Sequence, residues 1–191
     1  MKTIRQSVFE TNSSSTHSIC ISKEKVNLNN LPDKVVFKVG EFGWERREAN
    51  RADYLYTAAA ILYNCDEFKE FKNYVSVALL NIGIDCEFGK TIFKQIDIQD
   101  GMVYGYLDNG HIDHVDDLRE FVDAIMKDEQ LLFRYLFGDS HVYTGNDNSA
   151  DEESCKTHEI ADKEMYDCEK YEYVPNPYHN EEKYDYFFKE N

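Results

Sequence analysis

A chain of 191 residues with 42% hydrophobic and 14% aromatic content is long and apolar enough to build one sizeable core, which excludes a wholly disordered acidic protein. Its 37 Asp and Glu against 21 Lys and Arg give a net charge of −16. That charge repels nucleic-acid phosphates and anionic membranes, so neither is expected as a direct partner, and it attracts cationic protein surfaces.

Residues 3–9 read as a strand with Ile4, Val8 and Phe9 as apolar members, and Ser18–Ser22 reads as a second. The small polar run from Glu10 to His17 between them suggests a hairpin with a polar, ordered connection. Residues 23–33 look like loop, and Val35–Val39 like a third strand, ended by Gly40-Glu41-Phe42-Gly43-Trp44-Glu45. The Ala- and Leu-rich run 52–63 places Leu55, Ala59 and Leu62 at helical spacing. Asn64, with Glu67 three residues on, is a capping-box start for the next helix. Phe68, Phe71, Val75, Leu79 and Ile82 make its apolar stripe, and Gly83 closes it. Ile84–Phe88, Thr91–Ile98 and Met102–Leu107 read as strand or irregular, Asp108-Asn109-Gly110 as a turn, and His111-Ile112-Asp113-His114 as a turn before a third helix over 115–126. Asp128 caps a fourth helix at 129–137 that Gly138 stops, and Ser140–Thr144 is a further strand.

Composition then shifts. From Gly145 to Asn191 there are 14 acidic and 5 basic residues, a net −9, together with 6 of the 14 Tyr. The expected organisation is an α+β domain at 1–145 and an acidic, Tyr-rich C-terminal segment at 146–191. Within that segment 146–162 reads as a linker, and 163–191 has enough aromatics to pack as a strand or lie on the domain. The fold class is α+β, a small, mostly antiparallel sheet packed by about four helices. No apolar leader or membrane-length apolar run is present, and the five scattered cysteines (Cys20, Cys65, Cys86, Cys155, Cys168) read as reduced thiols, so the expected location is a bacterial cytoplasm.

Chemistry concentrates in Glu10-Thr11-Asn12-Ser13-Ser14-Ser15-Thr16-His17. Hydroxyls and amides this dense can cradle a phosphate or carboxylate, with Glu10 as a base, Ser14 as a hydroxyl and His17 as a proton carrier if the chain is an enzyme. The competing reading is a surface loop of turn formers bonded to its own backbone. Asn12, Ser13, Ser14, Ser15, Thr16, Glu41, Trp44, Glu45, Asn146 and Asp147 are the candidate ligand-binding residues, with Trp44 alternatively a core residue closing a turn. Asp139 and His141 are conceivable triad partners for the serines, but a Gly-x-Ser-x-Gly elbow is absent. Cys155, His158, Cys168 and His179 offer a zinc ligand set without the paired spacing that zinc knuckles use, so no metal is expected. Phosphate-loop and dinucleotide glycine motifs are absent, and no cofactor is expected.

The string Ser7-Val8-Phe9-Glu10-Thr11-Asn12-Ser13-Ser14-Ser15-Thr16-His17-Ser18 resembles the N-terminus of a family of small uncharacterised proteins from low-GC Gram-positive bacteria and their phages. Gly40–Glu45, Tyr54-Leu55-Tyr56-Thr57 and Thr144-Gly145-Asn146-Asp147 are similar to that family's other motifs. The resemblance implies a shared fold and a bacteriophage or mobile-element setting, and it supplies no mechanism. With the charge, it leads to the expectation of an acidic phage protein that binds a basic host protein. Its target would be a nucleic-acid-handling or defence protein, inhibited by phosphate mimicry in the anti-CRISPR manner. The alternative expectation is a nucleotide- or phosphate-binding enzyme with its site at Glu10–His17.

Overall fold

The computed structural model describes residues 15–43, 47–99, 102–112, 118–146, 164–167, 170–176 and 179–189. The expected strand 3–9, the start of the third helix at 115–117 and the linker residues 147–162 lie outside them. In chain order the elements are β1 (Ser15–Ser22), β2 (Lys34–Phe37), β3 (Glu41–Phe42), β4 (Arg47–Glu48), α1 (Arg51–Leu62), α2 (Cys65–Asn81), β5 (Asp85–Phe88), β6 (Phe93–Gln99), β7 (Met102–Leu107), β8 (His111–Ile112), α3 (Arg119–Lys127), α4 (Glu129–Phe137), β9 (His141–Asn146), β10 (Glu164–Asp167), β11 (Glu172–Pro175) and β12 (Tyr184–Lys189). Four helices and a small, mostly antiparallel set of strands make this an α+β fold. Among the described residues no helix is long and apolar enough to cross a membrane.

The helix α1 sits at the centre. Nine of its residues are buried, among them Tyr54, Leu55, Tyr56 and the small run Ala58-Ala59-Ala60, so apolar surface runs around its whole circumference. A helix of that kind must be covered on every side. The short alanine side chains let neighbours approach closely, while Tyr54 and Tyr56 reach outward into the layers above and below. The main sheet covers one side, the β2–β5 pair another, and the three remaining helices complete the sheath.

Local signals set the helix ends. Asn50 accepts from the Asp53 amide at the start of α1. Asn64 and Glu67 form a reciprocal capping box on α2, each side chain bonded to the other's backbone amide. Phe68, Phe71, Val75 and Leu79 are the buried stripe of α2, and Gly83 follows its end at φ +80°, where a Cβ would be strained. Asp128 caps α4, and Gly138 ends it with its amide on the Arg134 carbonyl.

The main sheet has the order β12-β1-β9-β4 with every neighbour antiparallel. Smaller pairs surround it: β2 with β5 and β3 with β8, both parallel, and the hairpins β6–β7 and β10–β11. This corrects two expectations. The polar run is already strand at Ser15, and the described partners of β1 are β9 and β12. Its residues His17 to Ser22 are buried on both faces, and such a strand needs a neighbour on each edge. His111-Ile112, read as a turn, is the strand β8 beside Glu41-Phe42, with the His111 amide on the Gly40 carbonyl. Close packing at Gly110 brings it there, since a Cβ at that position would fall 2.0 Å from Val39 Cγ1.

The acidic C-terminal segment therefore re-enters the body as the edge strand β12. Phe187 packs its ring edge against Phe121 of α3 at 5.6 Å, and Phe121 in turn meets Tyr135 of α4 at 5.2 Å. In urea unfolding, Phe121→Ala is expected to lose about 3–5 kcal/mol as this aromatic stack collapses. Asn64→Ala should lose only about 1 kcal/mol, the worth of one cap. Equal losses for the two would mean that β12 is not held by the core.

Candidate functional site

One end of the main sheet gathers part of the predicted site. β1 begins and β9 ends there, with Ser15 opposite Asn146, Thr16 opposite Gly145 and His17 opposite Thr144. Arg47 of β4 stands opposite Thr144 on the other side. The structure thus brings Ser15, Thr16, His17 and Asn146 together. Glu41 is exposed on β3, one residue before Phe42, whose ring meets Tyr54 edge-on at 5.2 Å. Glu10, Asn12, Ser13, Ser14, Trp44, Glu45 and Asp147 lie outside the described residues, as do Cys155, His158 and Cys168. His179 stacks on the Tyr186 ring at 4.4 Å, with Nε2 3.5 Å from Glu181 Oε1. Among the described residues no group of three or more His, Cys, Asp or Glu is arranged to hold a metal ion.

His17 faces inward. It is fully buried, and its Nδ1 lies 2.9 Å from the Tyr54 hydroxyl of α1. Burial pushes the Tyr54 phenol well above its usual range, so the contact joins an imidazole to a neutral phenol within the core. The Thr144 hydroxyl, opposite His17 in register, is buried among the same elements without a hydrogen-bond partner. At His17, Tyr54 and Thr144 there is thus a polar seam between sheet and helix, covered from solvent.

A second constellation joins Asp139 and His141, named from the sequence as conceivable triad partners for the serines, to other groups in place of the serines. On the sheet face away from α1, His141 has Nδ1 2.8 Å from Glu48 Oε1 and Nε2 3.3 Å from Asp139 Oδ1. The other Asp139 oxygen accepts from Lys183 Nζ at 2.6 Å and from the Tyr184 hydroxyl at 3.1 Å. Tyr143 stacks on the imidazole at 5.8 Å, Tyr184 meets it edge-on at 6.3 Å, and Lys183 sits 5.0 Å over the Tyr184 ring. The Lys183 hydrogen bond holds the Asp139 carboxyl below its ordinary value, and burial raises the Tyr184 phenol. The visible signal was the spacing Asp139-x-His141-x-Tyr143 leading into β9; Glu48, Lys183 and Tyr184 come from elements distant in the chain.

The hairpin β10–β11 is the third feature. Its register sets Tyr166 opposite Tyr173 and Asp167 opposite Glu172. Tyr171 and Tyr173 are 81% and 70% exposed, the two most exposed large hydrophobic residues among those described. Tyr171 holds φ +58°, a left-handed conformation that costs a non-glycine residue free energy and is found where surrounding structure imposes it. Lys170 and Glu172 beside it are exposed.

The polar seam predicts two opposite responses to small substitutions. Tyr54→Phe removes the hydroxyl from His17 Nδ1 and is expected to cost about 1–3 kcal/mol in chemical denaturation. Thr144→Val removes a buried hydroxyl that has no partner and should leave stability unchanged or raised. A destabilising Thr144→Val would show that this hydroxyl is engaged in solution.

No family model matches the chain, and neither the curated proteins nor the solved structures searched contain a significant match to it.

Proposed function

We propose that this chain is an acidic binding protein that docks on a basic protein and occupies the surface with which that partner grips phosphate. The observation that carries this reading is the exposed pair Tyr171 and Tyr173 beside the exposed Glu172, within a segment that holds −9 of the −16 net charge. Tyrosine offers a large, rigid contact area for little lost rotamer freedom, and its ring face attracts Lys and Arg. Carboxylates around it repeat the charge of a phosphate backbone, so a cationic groove meets both the charge and the stacking surface it would find on a nucleic acid. In a bacteriophage or mobile-element setting, the partner is a host protein that handles nucleic acid or defends against it, and the outcome is inhibition. The location is then the bacterial cytoplasm.

Affinity capture from bacterial lysate by the immobilised full chain tests the proposal. A basic protein should be retained at about 0.1 M salt and released toward about 1 M, as the screening length falls from ~10 Å to ~3 Å. An oligonucleotide should compete with it. Tyr171→Ala with Tyr173→Ala should weaken binding about 10- to 100-fold, the range for losing an interface anchor. Retention that ignores salt, the oligonucleotide and the double substitution defeats the proposal. A thermal shift on adding a nucleotide, with no protein retained, favours the enzyme reading at Glu10–His17 in its place.

A further inference from the structure

The His141 constellation has a property independent of any partner. Each of its two ring nitrogens faces a carboxylate, Glu48 at 2.8 Å and Asp139 at 3.3 Å. A neutral imidazole carries one N–H, so it can donate to only one of them, and its other nitrogen then turns a lone pair toward a carboxylate oxygen. Only the imidazolium donates to both. We propose that His141 is a proton-operated clasp that holds the edge strand β4 onto β9 when charged and releases it when neutral.

The two carboxylates differ in what else holds them. Asp139 is fixed by Lys183 and Tyr184 from β12 and its approach, so it keeps its position in either state of His141. Glu48 is 53% exposed and belongs to a strand of two residues at the edge of the sheet. Glu48 is therefore the partner that leaves. The release stops at Ala49, which is buried and donates its amide to the Val142 carbonyl at 2.7 Å, just ahead of the Asn50 cap of α1. The hinge lies between Glu48 and Ala49, and α1 is left undisturbed.

Every charged or titratable group around the ring bears on the sign. Glu48 from β4 and Asp139 from the α4–β9 connection favour the imidazolium. Lys183 opposes it, but its ammonium is spent on the Asp139 oxygen that His141 does not use. Tyr143 on β9 and Tyr184 on β12 stack around the ring as neutral phenols, and Cys20 stands opposite His141 on β1. The clasp is closed on the acid side and opens as pH rises through the range in which imidazoles lose their proton. The Lys183 hydrogen bond holds the Asp139 carboxyl below the ordinary carboxylate range, so Asp139 stays ionised across these conditions.

The test follows amide hydrogen exchange of Arg47, the β4 residue whose N–H faces β9, in the full chain between about pH 5 and about pH 8. Far-UV circular dichroism checks that the fold persists at both ends. After correction for intrinsic base catalysis, protection of the Arg47 amide should fall about tenfold as pH rises, the factor for one lost hydrogen bond to a charged group. In His141→Asn and in the more conservative Glu48→Gln, this amide should exchange fast at both extremes. Flat wild-type profiles overturn the proposal, and so do profiles in Glu48→Gln that still titrate like wild type.

Discussion

A helix that is apolar around its whole circumference cannot sit on the surface of anything, and α1 imposes that condition on the rest of the chain. Most of the covering elements are fixed to it by at least one directed contact as well as by packing. The sheet reaches it through His17 and Tyr54. The β2 side reaches it through the Lys38 amide on Asp53 and the Gly40 amide on the Thr57 hydroxyl, with Phe37 and Phe88 packed around Tyr56. Helix α3 is tied by Arg119 to the Leu62 carbonyl, and α4 by the Tyr135 hydroxyl on the Arg51 carbonyl and by Arg51 on the Gly138 carbonyl. Apolar burial supplies the driving force, while these few hydrogen bonds select one rotation of α1 among many of similar burial.

What could be read in advance follows from the range of each signal. The caps at Asn64 and Asp128, the stops at Gly83 and Gly138 and the stripe from Phe68 to Leu79 are all set by residues within a turn or two. They are correspondingly visible in the sequence. Strand pairing is not local. β1 pairs with β12 across most of the chain, and nothing near Ser18 marks Phe188 as its partner. Ser15 to His17 looked like loop because hydroxyls favour turns, yet they extend the Ser18–Ser22 strand toward the chain start, paired with β9. The site shows the same division. Ser15, Thr16, His17 and Asn146 could each be named from their residue type, but their meeting is set by sheet register, and the inward pointing of His17 depends on Tyr54, which its own segment does not reveal. Of the Glu48–His141–Asp139–Lys183 group only the local pair Asp139 and His141 could be named in advance, because Glu48 and Lys183 come from separate parts of the fold.

Charge is distributed in two ways. On the body, many described carboxylates have cationic neighbours: Lys34 with Glu87, Lys94 with Asp108, Lys23 and Arg134 with Asp185, Lys183 with Asp139. Pairs this exposed contribute little stability, yet they reduce the field that the body projects. The stretch between β9 and β12 carries half of the formal net charge in under a fifth of the length, and with it the two outward tyrosines.

That stretch leaves the body at β9 and returns at β12, and these two strands flank β1 on its opposite edges. Both ends of the excursion are therefore pinned to the same rigid sheet, and the β10–β11 hairpin pairs within it. A segment closed at both ends has already lost much of the freedom that a dangling tail would surrender on binding. Anchoring β12 through Phe187 and Phe121 thus does more than complete the core: it lowers the entropic cost of presenting Tyr171 and Tyr173. The lateral position of β1 between its two partners is what turns an acidic extension into a loop held at both ends, and the chain's folding and its proposed binding meet at that strand.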